Sequence, residues 1–268
     1  MTAPEQTHEL ARLLLATCLG IWAVSLGFMA VARPALQPRI AQYGLVIRIM
    51  GRWMYWWSAP LVRWFDARGL NANHVTWIGF GITTIAAAMV GQGWWALGGL
   101  ALMFGSLCDI MDGELARLQK ASRPSGAFLD SNLDRLSEIV LFGGMAAGFT
   151  DRFGAYWAYA AAGASVMVSY ARARGEGLGV SCPGGGLERP HRVLIVMFTL
   201  LFCAFFPERW AAPAAEIACA VVAVGASATA LVRLSTIYGI LHRAEKPSPT
   251  PAPSAAAAPE EHVHSQAR

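Results

Sequence analysis

The sequence predicts an all-α polytopic membrane protein. Its core is six transmembrane helices, preceded by an additional N-terminal transmembrane helix and an interfacial amphipathic helix. Three observations carry this. Of 268 residues, 55% are hydrophobic and 14% charged, whereas soluble domains carry about a quarter charged. The apolar residues fall in runs suited to a hydrocarbon core about 30 Å thick. The breaks between runs are short and hold Gly, Pro and most of the Lys and Arg. A formal net charge of +4 suits anionic lipid headgroups, and the sequence shows no nucleic-acid motif. The five cysteines (Cys18, Cys108, Cys182, Cys203, Cys219) are odd in number and lack CxxC spacing, so no disulfide framework is expected.

Taken in order, residues 1–39 form an extension whose run from Leu13 to Ala32 holds no charge over 20 residues. A cleaved signal peptide is the rival reading, since Ala30-Val31-Ala32 resembles a cleavage site, but the run exceeds the usual apolar region of about 7 to 15 residues. A retained helix is expected. Residues 40–70 interleave Arg48, Arg52, Arg63 and Arg68 with Trp53, Trp56, Trp57, Trp64 and Phe65, the pattern of a helix lying in the membrane interface. A soluble amphipathic helix packed on the rest of the chain is the bland alternative. Residues 71–243 form the core domain, with apolar segments at 75–91, 94–117, 127–148, 154–173, 192–206 and 213–240. Basic residues concentrate in alternate loops: Lys120 and Arg123, then Arg172, Arg174, Arg189 and Arg192, then Arg243 and Lys246. The positive-inside rule puts these loops in the cytoplasm, implying an inner (cytoplasmic) membrane protein whose first helix starts outside. The Pro/Ala-rich tail, 244–268, cannot bury a core and is expected to be disordered.

The stretch CDIMDGELARLQKASRPSGAFLDSNLDR, 108–135, concentrates acid in this apolar chain. Asp109 and Asp112 are three apart, with Gly113 and Ala116 continuing the stripe, so two carboxylates and two small residues share one helix face. Asp130 and Asp134, four apart, share a face of the next helix. Arg123-Pro124 breaks the chain between them and turns it back, so the two stripes can face each other. Four carboxylates at a membrane boundary repel and need a cation between them. All-oxygen ligation selects a hard divalent ion, Mg²⁺, Mn²⁺ or Ca²⁺, and two such ions fit; without His or Cys at ligand spacing, zinc is not expected. Carboxylate-held metal commonly serves phosphate or pyrophosphate. Arg117 adds a fixed cation, and Gly113, Ala116 and Gly126 open a groove for a flat base or a diphosphate. Glu138 extends the stripe, either supporting Asp134 or packing the helix. Asn73 is placed to cap the first core helix, and His74 and His191 read as polar boundary residues.

Asp109-x2-Asp112-Gly113-x2-Ala116-Arg117-x8-Gly126-x3-Asp130-x3-Asp134 resembles the complete signature of the CDP-alcohol phosphatidyltransferase family, eight defined positions in 26 residues. The resemblance covers about 70 to 242, including Asn73-x2-Thr76. It implies that Asp109, Asp112, Asp130 and Asp134 ligate Mg²⁺ or Mn²⁺, two ions in all, with Asp134 also the general base. It implies further that Asp112, Gly113, Ala116, Arg117 and Gly126 hold the cytidine and diphosphate of a CDP-linked lipid such as CDP-diacylglycerol. The acceptor oxygen would attack the phosphorus bonded to the lipid alcohol and CMP would leave.

Ser169-Tyr170-Ala171-Arg172-Ala173-Arg174-Gly175-Glu176-Gly177 and Leu187-Glu188-Arg189-Pro190-His191-Arg192 resemble stretches of the phosphatidylinositol-phosphate synthase branch, where the acceptor is inositol 1-phosphate. Arg172 and Arg192 fall at matching places. Arg233, inside the last apolar segment, needs an anionic partner, since an unpaired Arg there costs roughly 2.5 kcal/mol or more. The three are expected to form an acceptor-phosphate pocket. Arg172 and Arg192 also fit positive-inside helix ends, and Arg233 a structural pair. The implied partners are the CDP-linked lipid, a small polar alcohol acceptor, phosphorylated or not, membrane lipids and a second copy of the chain in a homodimer. Glycerol 3-phosphate is an alternative acceptor. A cation transporter predicts acids spread across the bilayer depth, and a membrane prenyltransferase a second, distant acidic motif; neither pattern appears.

Overall fold

A computed structural model describes residues 3–32, 45–120, 123–182 and 186–245, with side chains omitted before Gln6, at Trp22 and from 26 to 54. The tail beyond Glu245, residues 33–44 and the side chains of Arg48, Arg52 and Trp53 lie outside that description. Among the described residues the chain is helical throughout: α1 (Ala3–Ala32), α2 (Leu45–Ala67), α3 (Ala72–Gly91), α4 (Trp95–Leu118), α5 (Pro124–Gly148), α6 (Arg152–Gly177), α7 (Arg189–Phe202) and α8 (Ala211–Glu245). Two 3₁₀ turns, Cys203–Phe205 and Glu208–Trp210, join α7 to α8. Each of the six apolar core segments falls mainly on one helix from α3 to α8.

Among the described residues, four stretches are long and apolar enough to cross a bilayer: Gln6–Ser25, Ala72–Gly91, Trp95–Leu118 and Glu208–Glu245. The remaining core helices differ for identifiable reasons. α5 carries Asp130, Asp134, Arg135 and Glu138, α6 ends on Arg172 and Arg174, and α7 is only 14 residues long, or about 21 Å at 1.5 Å per residue.

Helix starts follow local chemistry. Asn71, in extended conformation, caps α3 by accepting from the His74 backbone N–H at 3.2 Å, while its own N–H donates to His74 Nδ1. The cap expected at Asn73 thus sits two residues earlier, and Asn73 Oδ1 lies across from Gly126, 3.3 Å from where a Cβ there would stand. Asp151 caps α6, and α5 and α7 each have proline in the first turn, where its missing N–H has no intrahelical partner to lose.

α3 packs chiefly on α4 and α5, α6 on α8 and α5, and α7 on α4 and α8. At the α3–α4 crossing a Cβ on Gly79 would lie 2.9 Å from Cys108 Cβ, and one on Gly105 would lie 2.6 Å from Thr83 Oγ1. Without those side chains the backbones meet closely, as small residues permit inside membranes. The main core runs through α3 to α8 and takes in Ala11 and Leu15 of α1, with Phe142, Met145, Leu200 and Val222 almost fully buried. Outward faces are greasy too: Trp77, Phe153, Tyr159 and Val224 are exposed.

α1 joins the end away from the acidic stretch, where His8 Nε2 lies 3.0 and 2.9 Å from the carbonyl oxygens of Cys203 and Phe206. α2 packs on α4. Ser58 donates to Glu114 at 2.6 Å, and the Gln119 amide donates to Asp66 and the Leu70 carbonyl.

Candidate active site

Two helices deliver the acids and a third a counter-charge. Asp109 and Asp112 lie one turn apart near the C-terminal end of α4, and Asp130 and Asp134 one turn apart in the first half of α5. The break at Arg123-Pro124 folds α5 back, so the two stripes meet as the spacing predicts. One oxygen each from Asp109, Asp112 and Asp130 lies within 4.8 Å of the others. Oxygens on one ion lie no further apart than twice the bond length, about 4.2 Å for Mg²⁺ and 4.6–5.2 Å for Ca²⁺. An all-carboxylate set at that separation fits a hard divalent ion.

Asp112, 6% exposed, is oriented from α3: the Thr76 hydroxyl donates to its Oδ2 at 2.8 Å. Asp134 does not join the three-carboxylate group. Its Oδ1 pairs with Arg189 at 2.8 Å, and the same guanidinium reaches Asp109 Oδ2 at 2.5 Å. Arg189 is the first residue of α7, so one side chain ties three helices together. Asp109, Asp134 and Arg189 line a cleft that runs inward past Thr76 to Glu138.

Beside the acids, Gly113 faces the guanidinium of Arg117, whose nitrogens would be 3.5 and 3.7 Å from a Cβ there. Ala116 and Gly126 are part-exposed on the facing helices. The structure thus assembles Asp109, Asp112, Asp130, Gly113, Ala116, Arg117 and Gly126 at one end of α4 and α5.

The three expected phosphate ligands have different surroundings. Arg172 is exposed and pairs with Glu176 at 2.9 Å. Arg233 is 4% exposed; it donates to the Val168 carbonyl at 2.9 Å and to Glu188 Oε1 at 3.2 Å. Arg192 corrects the expectation of an open ligand site. Its side chain is 1% exposed, Nε and Nη2 fork onto both oxygens of Glu138 at 2.8 Å, and Nη1 donates to the Leu187 carbonyl. Burial of both partners makes this a pair within the protein, and Glu138 is the partner of Arg192 rather than of Asp134. Sequence reasoning missed Arg189 and Glu188. The available signal is their position: Arg189 opens α7 three residues before Arg192, and Glu188 stands at its N-cap.

The model of the CDP-alcohol phosphatidyltransferase family matches residues 70–232. An archaetidylinositol phosphate synthase of Methanothermobacter thermautotrophicus is 37% identical over 144 residues, 52% of this chain and 72% of that protein. The crystal structure of Mycobacterium tuberculosis phosphatidylinositol phosphate synthase with CDP-DAG bound matches with a TM-score of 0.63 and 29% identity, covering 68% of this chain and 93% of that one. The same enzyme in complex with manganese and citrate matches with a TM-score of 0.63 and 28% identity, over 68% and 88% of the two chains. The chain belongs to the CDP-alcohol phosphatidyltransferase family, as an integral-membrane transferase of phospholipid synthesis.

Proposed function

We propose that this enzyme transfers the phosphatidyl group of CDP-diacylglycerol, or a similar CDP-linked lipid, to the hydroxyl of inositol 1-phosphate, with release of CMP. The single observation that carries the reading is the convergence of Asp109, Asp112 and Asp130 beside Gly113 and Arg117, with Arg233 of α8 paired to Glu188, the residue before the Arg189 that pairs with Asp109. The synthases of inositol-phosphate lipids among its relatives support the acceptor. Mg²⁺ or Mn²⁺, as a pair of ions held by Asp109, Asp112 and Asp130 with Asp134 beside them, supplies neutralising charge for the diphosphate when bound.

The chain's own residues do the rest. Gly113, Ala116 and Gly126 leave room for the cytidine and diphosphate to lie against the backbone, and Arg117 pairs with phosphate oxygen. Arg172 and Arg233 hold the acceptor's phosphate, each exchanging a carboxylate partner, Glu176 or Glu188, for it. Asp134 takes the proton of the attacking hydroxyl. The new bond forms between that oxygen and the phosphorus bearing the lipid alcohol, the bond from that phosphorus to the CMP oxygen breaks, and CMP leaves with the electron pair. Positioning and fixed charge supply most of the acceleration in such an in-line displacement. The site faces the cytoplasm of a cytoplasmic membrane, a reading that the alternation of basic loops supports. The exposed Trp57 and Trp64 of α2 support its lying in the same interface.

The test is CMP release by the purified protein from CDP-diacylglycerol with Mg²⁺ or Mn²⁺, offered inositol 1-phosphate, glycerol 3-phosphate, serine and inositol in parallel. Turnover with inositol 1-phosphate well above the others is expected. Preference for glycerol 3-phosphate would reassign the acceptor, and absence of CMP release with every acceptor would reject the reaction.

A further inference from the structure

We infer that Arg189 is a built-in counter-ion of the acidic centre that, anchored on Asp134, competes with the divalent ions for Asp109, and so sets how tightly those ions are held. The inference rests on the metal-binding reading of the aspartates. The guanidinium forks across the two stripes, with Nη1 on Asp109 Oδ2 at 2.5 Å and Nη2 on Asp134 Oδ1 at 2.8 Å. A planar guanidinium is shaped for this bidentate role and stays charged at any working pH. It therefore offsets part of the mutual repulsion of four carboxylates held close together.

The same position makes it a competitor. Asp109 belongs to the three-carboxylate group, and one of its oxygens is engaged by Arg189. A divalent ion and a guanidinium on neighbouring oxygens repel each other in a site with little water. Ion binding at Asp109 thus sets the N–H···O bond from Arg189 against a metal–oxygen bond on the same carboxylate and moves the guanidinium away. The anchorage of Arg189 suits that movement. One turn along α7, Arg192 is clamped by Glu138, which fixes the backbone, while Arg189 is 28% exposed and its Nε has no hydrogen-bond partner. The side chain is held by its tip, against a fixed base.

The alternative role for a charge next to ligating carboxylates is to orient them, and its removal would weaken metal binding. The two roles have opposite signs. Mn²⁺ affinity of the full-length protein in detergent, measured by electron paramagnetic resonance of free Mn²⁺, separates them. Arg189→Gln is expected to bind Mn²⁺ at least about tenfold more tightly than wild type, and Arg189→Lys, which keeps the charge, to remain within about threefold. In melting experiments the rise in Tm from EDTA to Mn²⁺ should be larger for Arg189→Gln than for wild type, a comparison that also serves if the variant survives only in the presence of metal. Unchanged or weaker Mn²⁺ binding by Arg189→Gln would overturn the inference while leaving the metal site intact. Failure of the wild type to bind Mn²⁺ would overturn both.

Discussion

Replacing Arg192 with methionine keeps most of the side chain's bulk and deletes its charge. Glu138 then loses both 2.8 Å hydrogen bonds that hold its carboxylate, at a place where the two side chains are 1% and 4% exposed. Water cannot substitute at that depth, and breaking one partner of a buried pair costs about 3–5 kcal/mol. The Leu187 carbonyl also loses its donor at 2.9 Å, worth roughly 0.5–1.5 kcal/mol. At about 2–4 °C per kcal/mol for a chain of this size, Tm should fall on the order of 10 °C. Tryptophan fluorescence during a thermal melt in detergent and EDTA reads this directly. The double variant Glu138→Leu with Arg192→Met, which removes the stranded charge, should recover most of the loss. An Arg192→Met protein that melts with the wild type but shows a raised KM for a phosphorylated acceptor would refute the reasoning, because the guanidinium would then be serving a ligand.

Three further outcomes are expected. Asp134→Asn should keep Mn²⁺ binding through Asp109, Asp112 and Asp130 while CMP release falls by about 10²–10⁴; near-normal turnover would remove Asp134 as the base. Thr76→Val deletes the 2.8 Å hydrogen bond to buried Asp112 and should weaken Mn²⁺ binding about tenfold or more, as losses of orienting partners do, which calorimetric titration would show. Arg233→Ala should raise KM for inositol 1-phosphate more than for inositol; an equal loss for both would place the acceptor's phosphate elsewhere.

The helical core is legible because lipid imposes a single rule on the sequence: long apolar runs with satisfied backbones. The acidic face is legible because Asp109 with Asp112, and Asp130 with Asp134, repeat at one-turn spacing around a proline break. The arginines are not separable by that logic. Arg189 and Arg192 both read as basic residues at a cytoplasmic helix start, and only the packing of α7 on α4, which brings its first turn within side-chain reach of α5, sends one to Asp109 and Asp134 and the other to Glu138. The cap of α3 is hidden for a similar reason. Asn71 and Asn73 have the same chemistry, and the extended backbone at Asn71, φ −102° and ψ 167°, decides between them. The charge on α5 also explains why its 25 residues do not register as a spanning stretch, although the helix is as long as α4.

The crossing of α3 and α4 at Gly79 and Gly105 has a bearing on evolvability. Because each glycine there meets a side chain of the other helix, with that helix's backbone carbonyl next at 3.3 Å, the distance from Thr76 to Asp112 is ruled by a dimension that few compensating substitutions nearby can restore. Drift on the lipid-facing surface leaves that dimension alone, whereas a single added methyl at the crossing spreads the two rods and detunes the carboxylates a turn or two away.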